Sequence, residues 1–190
     1  HISQQSPHSR GSAVCTFCPL QKTIRRYGII PRMQIQIPAV NNILDTLYIG
    51  GAIDAYPQAH ALAQAGIHHI LKLYQGDPHW PEPFIVLDHA IKDSSSITLE
   101  QLQRGVAFIR EQQQAGHPLL VACRYGVSRS STFVLAYLVQ ENGYDLPEAW
   151  HLLRSNHPLA HPARELWQSL LDHYRQPYTM ADVEQWLIRG

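Results

Sequence analysis

The chain has 190 residues and a mass of 21.6 kDa, with 15 basic residues, 15 acidic residues and a hydrophobic share of 45%. That length buries a core without disulfide or metal staples. The balanced charge excludes a strongly basic nucleic-acid reader or an acidic disordered tail as the chain's main business.

Residues 1–38 mix Ser, Gln and Arg without a sustained period and read as an N-terminal extension, partly disordered. The first twenty residues hold no apolar run long enough for a signal peptide, and His1 in place of an initiator Met reads as either an added or a processed end. The pattern sharpens from Ile43. Leu47-Tyr48-Ile49 is a short strand closed by Gly50-Gly51, and Pro57 to Ala65 reads as a helix stopped by Gly66. Ile67 to Leu73 alternates as a strand does, and the apolar run Phe84 to Leu87 reads as a buried one.

Thr98 with Gln101 three residues later has the spacing of a capping box. Leu99, Leu102, Val106 and Ile109 then share one helix face, and Gly116 ends the helix. Pro118 to Ala122 reads as a buried strand, and Ser130 to Gln140 as an apolar helix stopped by Gly143. Pro147 to Arg154 and Ala163 to Tyr174 are further helices with Pro at or just before their starts, and Thr179 to Ile188 forms a small appended one. The longest apolar stretch, Phe133 to Val139, is seven residues, against roughly twenty for a bilayer span. The chain therefore reads as soluble, intracellular and cytoplasmic. Strands alternating with helices predict an α/β fold: a central, mostly parallel sheet of about five strands flanked by helices.

The stretch Val121-Ala122-Cys123-Arg124-Tyr125-Gly126-Val127-Ser128-Arg129-Ser130 runs from a buried strand through a short loop into a helix. Successive backbone N–H groups in such a loop form an anion-binding nest, and the helix N-terminus adds about half a positive charge. A thiol at the bottom of that nest has its pKa lowered from ~8.5 toward about 3.5–7.5, which supplies a thiolate nucleophile at neutral pH. Arg129 can fork onto two phosphoryl oxygens, and Gly126 frees the turn of a Cβ. The same residues also fit a plain strand–loop–helix junction: a buried Cys closing the strand, with Arg and Ser capping the helix.

Cys123 to Ser130 resembles the C-x5-R-S signature loop of cysteine-based phosphatases. The flanks Val127 to Ser131 and Val134 to Leu138 resemble the dual-specificity protein phosphatases in particular. So do Leu47 to Ala52, Gly66-Ile67 with Ile70-Leu71, and Phe108-Ile109 followed by Leu119 to Val121. The likeness implies a cysteine-phosphatase-like catalytic domain over residues 39–176, with 177–190 as a C-terminal appended helix. It implies hydrolysis of phosphotyrosine and phosphoserine/phosphothreonine on protein substrates through a phosphocysteine, with Cys123 as nucleophile and Arg129 as phosphate clamp. Asp93, thirty residues before Cys123, falls at the family's general acid/base position, whereas Asp88 reads as structural. Ser130 matches the hydroxyl that helps the sulfur leave, and is also a plausible helix cap. Arg124, Tyr125, Gly126, Val127 and Ser128 complete the phosphate loop, the first two through backbone N–H groups with side chains turned outward.

Two departures stand out: Ala122 replaces the family's loop-ordering His, and Ala163 follows Pro162 where the family often has Asn. The first predicts a Cys123 pKa above the family's usual range yet below ~8.5, and it motivates an alternative, a weak or inactive phosphate-binding module. A phosphoinositide substrate is the other alternative, although Arg-Tyr-Gly-Val-Ser lacks the Lys typical of lipid-directed loops. No cofactor and no metal are expected. Cys15-x-x-Cys18 with His1 or His8 offers one cysteine pair where a structural zinc needs four ligands. Of the remaining histidines, His68 and His69 alternate on a strand, one inward and one outward. His157 and His161 flank prolines in a connection, and His151 and His173 lie on exposed or half-buried helix faces. Nucleic-acid partners and membrane insertion are not expected.

Overall fold

The computed structural model describes residues 40–76 and 84–189. The extension 1–38, with Cys15, Cys18, His1 and His8, lies outside them. Among the described residues five strands and six helices follow one another: β1 (Val40–Leu44), β2 (Leu47–Gly50), α1 (Tyr56–Gln64), β3 (His69–Lys72), β4 (Ile85–Asp88), α2 (Leu99–Gln114), β5 (Leu119–Ala122), α3 (Arg129–Asn142), α4 (Leu146–Asn156), α5 (Arg164–Tyr174) and α6 (Met180–Arg189). The sheet order is β1-β2-β5-β3-β4, with β1 antiparallel to β2 and the other pairs parallel. β5 is therefore central. Gly50, Lys72 and Ala122 are register partners at the carboxyl ends of their strands, where ligands collect in parallel sheets.

Alternation along the strands splits the interior into two layers. Leu47, Ile49, Leu71, Leu73, Leu119 and Val121 face the larger core under α2 to α6, while Ile70, Leu120 and Ala122 face the smaller one under α1. α3 is the core's central rod, with Arg129 through Leu138 all buried. Its hydroxyls are satisfied on the preceding turn: Ser131 Oγ donates to Val127 O at 2.7 Å and Thr132 Oγ1 to Ser128 O at 3.0 Å. α2 crosses α3 closely at Gly105, where a Cβ would lie 2.3 Å from Phe133 Cε1. The capping box forms as expected: Gln101 N donates to Thr98 Oγ1 at 3.2 Å, and Thr98 N to Gln101 Oε1 at 3.0 Å. α6 packs into the larger core through Val183 and Trp186, with Trp186 edge-on to Tyr178 and Trp167.

Two expectations change, and one strand, β1, joins the elements expected. β1 carries too little alternation in Val-Asn-Asn-Ile-Leu to announce a strand, and only Ile43 of it is buried. The run after Phe84 is an edge strand with Ile85 55% and Val86 37% exposed, because a short apolar run does not reveal whether a strand is central or outermost. His68 and His69 are both half-buried rather than one in and one out: His69 stacks on His117 at 4.4 Å and His68 tilts against Phe84. Among the described residues no helix is long and apolar enough to cross a membrane, and no group of His, Cys, Asp and Glu side chains is placed to hold a metal ion.

Candidate active site

The loop after β5 is shaped by what its carbonyls do. Arg124 O accepts from Ala52 N at 3.3 Å, and Gly126 O from His157 Nε2 at 2.7 Å. Val127 O accepts from His161 N at 2.8 Å and from Ser131 Oγ, and Ser128 O from Thr132 N and Oγ1. In a trans peptide the N–H of the next residue points opposite to the carbonyl. The amides of Tyr125, Val127, Ser128 and Arg129 are thereby turned away from these partners, and the N–H groups of Tyr125 and Ser130 reach the Cys123 sulfur. Ser128 Oγ accepts from Ala163 N at 2.9 Å, tying the loop to the start of α5. Gly126 makes the reversal: its φ is +72°, and a Cβ there would lie 2.7 Å from Gly50 C and 2.8 Å from Gly51 N. Tyr74 braces the same corner, its buried hydroxyl accepting from Ile53 N at 3.1 Å.

Cys123 is 2% exposed, and its Sγ lies 3.2 Å from Ser130 Oγ. Burial pushes the thiol pKa up. The Ser130 hydroxyl, the backbone N–H groups of Ser130 and Tyr125 and the Arg129 charge together outweigh it, so the net shift is downward. Ser130 sits in the first turn of α3 with its hydroxyl toward the sulfur, and Ser128, the N-cap residue, makes no side-chain cap.

Arg129 is 6% exposed. Its Nη1 donates to Ile91 O at 2.8 Å and Leu73 O at 3.2 Å, which fixes the guanidinium plane beside the loop. Its Nε makes no hydrogen bond among the described residues and has the Asp93 carboxylate as an ionic neighbour at 3.4 Å. Asp93, half-exposed, accepts from Ser94 N at 3.1 Å, with Ser94 at a positive φ of 49°. Asp88 is occupied elsewhere, as the 2.6 Å partner of the buried Lys72 amine. Arg124 and Tyr125 turn outward, Arg124 onto Asp54 at 2.9 Å and Tyr125 into solvent at 73% exposure. The site is a buried thiol whose pKa is shifted downward, contacted by backbone N–H groups, with one guanidinium edge and one carboxylate beside it. That arrangement suits attack on a tetrahedral oxyanion ester.

Two residues of the loop's support were not visible in sequence. His157 reads as a connection residue, yet it is 1% exposed and bridges Gly126 O to Asn41, whose amide lies 2.8 Å from Nδ1. Asn41 belongs to the unannounced β1. Both act across long separations that no local pattern encodes.

A family model described as dual specificity phosphatase, catalytic domain, matches residues 47–176. The chain is 33% identical over 150 residues to Dual specificity protein phosphatase PHS1 of Arabidopsis thaliana, covering 73% of this chain and 16% of that protein. It is 30% identical over 149 residues to human Dual specificity protein phosphatase 22, covering 78% of this chain and 79% of the relative. Crystallised human DUSP28 superposes with a TM-score of 0.64 at 26% identity, covering 73% of this chain and 94% of that one. A mouse dual specificity phosphatase complexed with zinc tungstate gives the same TM-score at 27% identity, covering 73% and 87%. The matched stretch contains the whole loop, its thiol and the Asp93 segment, and the chain belongs to the dual specificity protein phosphatases.

Proposed function

We propose that this protein hydrolyses phosphate monoesters on phosphotyrosine and phosphoserine/phosphothreonine proteins through a phosphocysteine on Cys123. The observation that carries the reading is the pairing of outward carbonyls with a buried, lowered-pKa thiol beneath them. The phosphoryl oxygens sit on the loop amides and on the Arg129 edge that carries Nε, a buried donor without a hydrogen bond among the described residues. The thiolate attacks phosphorus, the bond to the leaving oxygen breaks, and Asp93 in its protonated form gives that oxygen its proton. The Asp93 carboxylate then takes a proton from water as the water oxygen attacks phosphorus. The P–S bond breaks, inorganic phosphate departs, and the Ser130 hydroxyl donates to the returning thiolate.

Protein rather than lipid substrates fit a loop whose variable positions hold one basic residue, Arg124, already paired with Asp54. Tungstate, a phosphate-like oxyanion, accompanies the mouse relative, which supports an oxyanion site in the same fold. The test is turnover of para-nitrophenyl phosphate, of phosphopeptides carrying each phosphorylated residue, and of phosphoinositides, with Cys123→Ser as control. Turnover of the peptides that Cys123→Ser abolishes is expected. Activity surviving that substitution would remove the covalent mechanism, and preferential phosphoinositide turnover would move the substrate class.

A further inference from the structure

Resting on that reading of the loop, we infer that His157, held by Asn41, is a positioning residue that sets one wall of the phosphate cradle by fixing the Gly126–Val127 peptide. Of the four loop carbonyls described above, those of Val127 and Ser128 are held within the adjoining turn, and Val127 O has a second donor from His161 N. Arg124 O is held by the neighbouring strand end through Ala52 N. Gly126 O alone among them is held by a side chain distant in sequence, at 2.7 Å. Gly126 is also the residue whose φ of +72° gives the peptide most freedom to turn over. A flip of that one plane would aim a carbonyl, not the Val127 N–H, at an incoming phosphoryl oxygen. Ala122, next to the nucleophile, is fully buried and carries only a methyl, so it brings no donor to the loop.

A carbonyl can only accept, so Nε2 of His157 carries hydrogen and donates to Gly126 O. Burial opposes the charged imidazole, and the nearby Arg154 charge adds to this. The Gly126 carbonyl works the other way, and the net direction is toward the neutral form. The structure places Asn41 Oδ1 2.8 Å from Nδ1; because Nδ1 of a neutral, Nε2-protonated ring only accepts, that pairing is met with the Asn41 amide turned over so that its NH2 donates. Asn41 sits on β1 and pairs with Ile49 of β2. The helix end at α4, the first strand and the loop are thus joined through one imidazole.

The experiment compares wild type, His157→Gln, His157→Asn and His157→Leu in three readouts: binding of inorganic phosphate by calorimetry, kcat and KM on para-nitrophenyl phosphate, and thermal melting. A Gln amide reaches as far as Nε2 and restores the donor to Gly126 O, while Asn is too short. Gln is expected within about threefold of wild type in phosphate affinity. Asn and Leu are expected to lose roughly 10²-fold in kcat/KM, the size of one lost oxyanion donor. Asn and Gln behaving alike, or Leu binding phosphate as wild type does while folded, would overturn the inference. Should the variants fail to fold, the 15N shifts of His157 in the wild-type protein decide: a hydrogen on Nε2 is required, and one on Nδ1 alone would overturn it. A wild type that neither binds phosphate nor turns over substrate would instead count against the phosphatase reading itself.

Discussion

Replacing Ser130 with Ala isolates one contribution to the thiolate. The hydroxyl lies 3.2 Å from Cys123 Sγ, and both residues are buried. A thiolate has no hydrogen to give, so the hydroxyl must donate. A hydrogen bond to a buried charged group is worth about 1.5–3 kcal/mol. Its loss therefore raises the Cys123 pKa, and at roughly 1.4 kcal/mol per tenfold it lowers the thiolate population about 10- to 100-fold below that pKa. The hydroxyl is the largest of the influences that lower this thiol, and burial, the largest of all, pushes upward, so its removal leaves burial less opposed. Iodoacetamide alkylation followed against pH reads the shift directly. At pH values below both thiols' pKa the variant should react about 10- to 100-fold more slowly, and the two curves should converge where both thiols are ionised. Turnover should show a stoichiometric burst of nitrophenol followed by a slow phase, because the sulfur now leaves phosphorus without a donor. Superimposable alkylation profiles in a folded variant would refute the reasoning.

Gly126→Ala should reduce kcat/KM by at least 10²-fold, since an αL conformation costs an L-residue about 1–2 kcal/mol and the new Cβ would press on backbone atoms of Gly50 and Gly51; a near-normal rate would show that the turn tolerates distortion. Asp93→Asn should lower the rate about 10²–10⁴-fold on phosphate esters with poor leaving groups and less on activated aryl esters, whereas Asp88→Asn, whose carboxylate is paired with Lys72, should leave this leaving-group dependence intact. An equal response from both carboxylates would remove Asp93 from the acid role. Gly105→Ala should lower stability by about 1–3 kcal/mol in urea despite the better helix propensity of Ala, because the Cβ would overlap the Phe133 ring where α2 crosses α3. A thiol with lowered folded pKa stabilises fully above the unfolded thiol's value and loses that contribution as pH falls through the folded one. The wild-type melting temperature relative to Cys123→Ser should therefore rise with pH across that interval.

Most of the fold was legible because its signals are local. The Thr98–Gln101 box, the glycine stops and the continuous apolar run Leu119 to Ala122 each lie within a turn or a strand, where backbone geometry ties pattern to conformation. The edge strands were misread for the complementary reason. Whether Ile85 faces solvent, or Asn41 pairs with Ile49, depends on which strand lies next in the sheet, and adjacency is a property of the assembled layer.

The candidate site divides along the same line. The spacing of Cys123, Gly126, Arg129 and Ser130 is a sequence property: a strand, a tight turn and a helix start place a thiol beneath amides whatever surrounds them. The tertiary structure decided what locks that turn and what stands at its rim. His157 reaches Gly126, Ile91 and Leu73 orient Arg129, and Asp93 comes within 3.4 Å of Arg129 only because the sheet brings the ends of β3, β4 and β5 together. Hydrogen bonds to a carbonyl carry no side-chain signature on the acceptor, so the sequence by itself could name the candidate nucleophile but not the histidine beneath its loop.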